Sequence, residues 1–101
     1  MKKQARKQKK HSANLHVIVF KEGKKYVAYS PTIDLATQGN SREDAGRMFD
    51  EAAGIFFEEL VKMGTLEKEL ERLGWVKTVK EGWAPPVVVA SELRSTQILY
   101  A

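Results

Sequence analysis

The sequence predicts an α+β fold: a small antiparallel-type sheet of three or more strands packed on one long helix, then a second short helix and a β-rich C-terminus. Three observations lead there. Residues 14–39 hold two short β-type runs joined by a glycine-bearing turn, followed by Ser-Pro and a third apolar run. Ser41-Arg42-Glu43-Asp44 then opens a long stretch of helical periodicity. Finally, 101 residues with 43% hydrophobic content suit one domain, which at this size buries roughly 60–70% of its unfolded surface. Residues 13–101 are therefore expected to form a single domain.

Leu15-His16-Val17-Ile18-Val19-Phe20 is rich in β-branched and aromatic residues and predicts the first strand. The polar run Lys21–Lys25 carries Gly23, which tolerates positive φ and suits a hairpin loop. Tyr26-Val27-Ala28-Tyr29 is the return strand, and Pro31, without an amide donor, should end or bend the pairing. Ile33-Asp34-Leu35-Ala36-Thr37 alternates apolar with polar residues and predicts a shorter third strand. Gly39-Asn40 is expected to turn the chain into the helix.

Ser41 is a good N-cap, and Glu43 and Asp44 lie in the first turn, where the helix dipole favours negative charge. Asp44 sits where a capping box places Glu or Gln. Ala45, Met48, Phe49, Ala52, Phe56, Leu60 and Met63 recur at helical spacing and predict the core face. Phe57 and Val61 fall beside that stripe. They either broaden the core face or form an oligomer contact, and with the β-rich end they lead us to expect a homodimer or higher homo-oligomer. Gly64 suits a C-cap, and Thr65 starts a second helix lined by Leu66, Leu70 and Leu73. Gly74 ends it, with Trp75 placed to fold back as the accompanying hydrophobic contact. Beyond the stiff Ala84-Pro85-Pro86, Val87-Val88-Val89 and Gln97-Ile98-Leu99-Tyr100 are expected as strands that seek a sheet edge.

Charge divides the chain. Lys2, Lys3, Arg6, Lys7, Lys9 and Lys10 put six cations in the first ten residues. Without them eleven basic residues face thirteen acidic ones, a net charge of −2 beneath a whole-chain charge of +4. The basic character therefore belongs to a tail. Residues 1–12 bury too little apolar surface to offset ordering entropy and are expected to be disordered. The tail reads first as a solvated extension and second as an arm for nucleic acid, because neutralising phosphates releases counterions.

Little in the sequence points to catalysis. There is no cysteine, which excludes disulfides and thiolate metal sites and fits a reducing cytosol. His11 and His16 are the only histidines and neither has a second one at ligand spacing, so neither a metal site nor a cofactor is expected. Glu43 and Asp44 are explained by capping, and Glu51, Glu58 and Glu59 fall mainly on the polar side of the helix. No phosphate loop or nucleophile elbow is present, and the expectation is no catalytic residue. Phe20, Tyr26 and Tyr29 could stack bases, but strand aromatics more commonly serve the core or cross-strand pairs. No apolar run reaches the roughly 18–20 residues of a membrane span and no apolar stretch follows the basic start, so a cytoplasmic protein is expected.

Tyr26-x-Ala28-Tyr29-Ser30-Pro31, Ile33-Asp34-Leu35, Thr37-Gln38-Gly39 and Ser41-x-Glu43-x-Ala45 together resemble the HicB family of antitoxins. The resemblance continues through the Phe-rich helix to Gly64-Thr65 and Leu73-Gly74-Trp75, covering residues 14–75. Thr37–Ala45 is its most specific part. The resemblance implies a truncated ribonuclease-H-like fold that has lost its catalytic carboxylates. It also implies a non-catalytic protein that masks a small, basic, mRNA-cleaving toxin of the HicA kind in a type II toxin–antitoxin pair. Many such proteins carry a DNA-binding segment as well; here proline and β-type residues follow Trp75 instead, with no helix-turn-helix signature. Because the folded part is mildly acidic and such a toxin is basic, Asp34, Glu58 and Glu59 are the candidate toxin contacts. The competing expectation is a small nucleic-acid-binding or regulatory protein that uses the basic tail and has no toxin partner.

Overall fold

In the computed structural model the described residues are 12–80 and 82–101, so the basic run and its six cations lie outside them. Three antiparallel strands, β1 (Ile18–Glu22), β2 (Lys25–Ser30) and β3 (Leu35–Gly39), form a sheet in the order β1-β2-β3. The helix α1 (Arg42–Met63) packs across β3 and β2, the short helix α2 (Leu66–Arg72) follows, and β4 (Val76–Thr78) pairs with β5 (Gly82–Ala84) in a separate two-stranded sheet. The architecture is α+β, as the sequence predicts.

Local chemistry explains the turns. Glu22 pairs with Lys25, so Gly23-Lys24 is a two-residue hairpin loop, and φ of +61° at Gly23 is what a II′ turn requires at its first central position. Pro31 lies just past the end of β2, where no ladder amide is needed. The return to β3 spans four residues and closes on Asp34, whose φ of 53° is a left-handed conformation that aspartate tolerates better than most residues. That tight turn corrects the third strand: Ile33 and Asp34 are turn residues, and pairing starts at Leu35. Ile33 is still core, only 2% exposed. The first strand likewise begins at Ile18 rather than Leu15 and extends to Glu22.

Gly39 is the last residue of β3, paired with Tyr26, and not a free turn residue. It is buried because α1 starts against it: a Cβ there would lie 2.3 Å from the Ala45 nitrogen and 2.7 Å from its Cα. Thr37 Oγ1 donates to the Ala45 carbonyl oxygen at 3.1 Å. Ser41 caps α1 as expected, its Oγ accepting from the Asp44 amide at 3.0 Å, while the Asp44 carboxylate accepts from the Asn40 amide. At the other end Gly64 is left-handed, and the Thr65 and Gly64 amides return to the Leu60 and Val61 carbonyls, a Schellman closure.

Ala45, Phe49 and Ala53, four residues apart, form the buried stripe of α1 against Ala28 and Ile33. Met48 and Met63, expected in the core, are exposed, because the stripe rotates toward Ala53 as the helix crosses the sheet. Leu70 of α2 and Trp75 complete the core. The Trp75 amide donates to the Leu70 carbonyl, the fold-back expected from Gly74, and its indole Nε1 donates to the Thr32 carbonyl at 2.8 Å. One residue thus ties the end of α2 to the β2–β3 turn.

The C-terminus departs from expectation. Val87–Val89 and Gln97–Tyr100 have no regular structure, and the β content of this part resides in β4 and β5. A strand needs an edge to pair with, and no edge within one chain receives these runs.

Gly39 of β3 and Gly54 of α1 separate space from propensity. Gly39→Ala should destabilise by about 2 kcal/mol or more, because its methyl meets backbone that cannot yield. Gly54→Ala, where a Cβ meets open space, should stabilise by about 0.5–1 kcal/mol through helix propensity. Urea unfolding of both variants, with equal m-values, checks the pair.

Candidate functional site

Nine of the thirteen carboxylates lie on α1 and α2, against five cations there. Asp44 pairs with Arg47, Glu69 with Arg72, and Glu67 with Lys77 across to β4. Among the described residues Glu43, Asp50, Glu51, Glu58, Glu59 and Glu71 are exposed and have no ion pair. Helical geometry orders them. Glu58 is nine residues from the buried Phe49, about half a turn around the helix, so it points away from the sheet.

Ile55 stands in the middle of this surface, 56% exposed. Glu51 precedes it by four residues, and Glu58 and Glu59 follow it by three and four, so all three are its neighbours on the helix surface. Gly54 beside it leaves the backbone uncovered by any side chain. The result is an apolar anchor ringed by carboxylates, with room for close approach by a partner. This arrangement fits a basic protein surface that offers an apolar pocket. Sequence reasoning found Glu58 and Glu59 and passed over Ile55 and Glu51. The i−4, i+3 and i+4 spacing around a lone exposed isoleucine is the signal that would have found them.

Asp34 does not join this cluster. It sits at the β2–β3 turn, where its carboxylate accepts from the Tyr29 hydroxyl at 2.9 Å. That hydrogen bond, together with partial desolvation and the adjacent negative charge, raises the Tyr29 pKa above the ordinary phenol value. Asp34 thus has a structural partner, while Glu58 and Glu59 are free to meet another molecule.

The strand aromatics do not form one stacking platform. The register places Phe20 and Tyr29 on the sheet face away from α1, beside Ile18 and Val27. Tyr26 faces α1 and packs against the core, with the Lys21 ammonium 5.6 Å from its ring centre. No group of three or more His, Cys, Asp or Glu side chains among the described residues is arranged to hold a metal ion. Nor is any helix among them long and apolar enough to cross a membrane.

A second feature is apolar. A groove of about 660 Å³ opens between the C-terminal half of α1, α2 and the β4–β5 hairpin. Phe57 and Val61, the candidate oligomer contacts, both line it, with Trp83 and Leu15. Phe57 is half-buried, edge-on to Phe56 and to Trp75, and so serves the core as well; Val61 is 57% exposed. The tail cations Lys2, Lys3, Arg6, Lys7, Lys9 and Lys10 lie outside the described residues. No family model, curated protein sequence or solved structure matches the chain.

The charged caps give stability a definite pH dependence. The Asn40 amide and then the Arg47 guanidinium hold the Asp44 carboxyl below its ordinary range. A depressed folded-state pKa contributes stability that is present above the unfolded value of about 4 and lost as pH falls through the folded one. Tyr29 has the opposite sign: its contribution is present below the unfolded value of about 10 and lost as pH rises through the higher folded one. Thermal unfolding against pH should therefore show an acid limb that flattens in Asp44→Asn and an alkaline limb that flattens in Tyr29→Phe.

Proposed function

We propose that this chain is a non-catalytic, HicB-like antitoxin that neutralises a small, basic, mRNA-cleaving toxin of the HicA kind, on a degraded ribonuclease-H-like fold. The observation that carries the reading is the unpaired acidic surface of α1, with Glu51, Glu58 and Glu59 around the exposed Ile55. It is supported by the resemblance of residues 14–75, whose most specific run, Thr37–Ala45, makes the strand-to-helix junction of the fold.

The mechanism is occlusion steered by charge. The carboxylates raise the encounter rate with a basic partner. Ile55 then supplies the desolvated contact that slows its departure, since buried anchors dominate the dissociation rate. A ribonuclease held this way has its own cationic surface covered and cannot engage RNA. The proposal places no chemistry on the antitoxin.

Co-expression with the product of the adjacent short reading frame, followed by sizing of the complex, tests the reading. The expected outcome is a stoichiometric complex with a small basic protein whose toxicity is lost in the pair. Reversing Glu51, Glu58 and Glu59 to lysine should weaken the complex at least about tenfold at low salt and flatten its salt dependence, and Ile55→Ala should mainly raise the dissociation rate. Asp34→Lys should have a much smaller effect. A complex indifferent to the triple reversal would refute this surface. Absence of any protein partner, with retained nucleic acid that is lost on removing residues 1–10, would refute the antitoxin reading itself in favour of a tail-mediated nucleic-acid binder.

A further inference from the structure

Residues 85–101 follow β5 without regular structure. Within them Val87, Val89, Leu93, Ile98, Leu99 and Tyr100 are 77% to 104% exposed. Single exposed apolar residues are ordinary, but six within fourteen residues of unpacked chain form a large uncovered apolar surface. Val87-Val88-Val89 is also a strand-forming run with no strand to pair with.

The same chain displays the complementary vacancy. β1 is the outermost strand and pairs only with β2, so its other edge presents unpaired backbone donors and acceptors. Val17, Ile18, Val19 and Phe20 along it are 36% to 43% exposed. Proteins usually blunt such an edge with proline, a bulge or charge; on β1 the charges Lys21 and Glu22 sit at the hairpin end, and the Val17–Phe20 stretch carries no proline, bulge or charge. The apolar groove is lined by Leu15, three residues before β1 begins at Ile18, so the chain that leads into the free edge also borders the groove.

We propose that two copies of this chain exchange their C-terminal segments, Val87–Val89 of each adding as a strand to the free β1 edge of the other. The apolar residues that follow cover the adjoining groove. Exchange between copies is favoured over folding back because Pro85 and Pro86 fix φ and hold the chain extended as it leaves β5, and most apolar side chains beyond them stay exposed on their own copy. Each copy offers the β1 edge and one unpaired strand-forming run, so a two-fold exchange occupies both. The proposal does not depend on the antitoxin reading.

Light scattering coupled to size exclusion tests it on the full chain, on a chain ending at Pro86, and on a variant with Val87, Val88 and Val89 changed to serine. The full chain should be a dimer, and both variants monomers with an unchanged far-ultraviolet helix signal. If the truncated chain loses its helix signal, the serine variant decides. The chain has no native cysteine, so a copy carrying Val19→Cys and a differently tagged copy carrying Val88→Cys should form a disulfide between them. A full chain that is monomeric up to its highest soluble concentration would overturn the proposal. A dimer that survives in the serine variant, or a Val19–Val88 disulfide forming only within one copy when both cysteines share a chain, would do the same.

Discussion

The close approach of β3 to the first turn of α1 is the constraint on which the rest of the fold depends. Gly39 lets the helix backbone come within a distance that no Cβ would permit, and the fully buried Ala45 faces it with the smallest side chain that keeps helical propensity. Thr37 bridges the junction to the Ala45 carbonyl, Ser41 satisfies the Asp44 amide in the first turn, and the Asp44 carboxylate accepts from the Asn40 amide just before the helix. Helix direction is set there. Once α1 leaves at that angle, Phe49 and Ala53 must fall on Ala28 and Ile33, and the opposite side of the helix must face solvent. The acidic surface around Ile55 is therefore a consequence of the junction.

A second constraint closes the other end. Trp75 buries its ring among Leu70, Ile33 and Phe57 and satisfies its indole N–H with the Thr32 carbonyl. A tryptophan so deeply buried needs a partner for that donor, because an unpaired buried N–H costs about 1–3 kcal/mol. Thr32 itself is held in a turn by Ser30, whose hydroxyl lies 2.7 Å from its own. The Gly39 junction and the Trp75 anchor thus fix the sheet, both helices and the start of β4 as one unit, and the segment beyond Pro85 is left without a surface inside it.

The molecule accordingly presents two faces of different chemistry. The helix face is acidic with a single apolar anchor, suited to a charge-complementary partner whose binding responds to salt. The edge of β1 and the neighbouring groove are apolar and offer backbone pairing, suited to a strand. The first is the basis of the proposed toxin contact, the second of the proposed exchange between copies. The strand pairing uses β1 and the charge contact uses α1, while the groove borders the C-terminal half of the same helix.

Much of this was legible in the sequence because it is local. Ser41 and Asp44 announce the cap, Gly23 and Gly64 occupy the left-handed positions that their turns require, Pro31 ends β2, and the Gly74-Trp75 pair predicts the fold-back that closes α2. These depend on φ, on missing donors and on spacing within one turn, all of which residue type specifies directly. Asp34 in the left-handed region was less visible, since only the four-residue closure onto Leu35 demands it. The rotation of the core stripe from Met48 toward Ala53, the burial of Gly39, the separation of Asp34 from Glu58 and Glu59, and the lack of a partner for Val87–Val89 were decided by tertiary structure alone. Each depends on where a second element lies: the crossing angle of α1 on the sheet, the Tyr29 hydroxyl next to Asp34, and the edge available to a strand. Periodicity gives a face its chemistry, but only packing determines what that face meets.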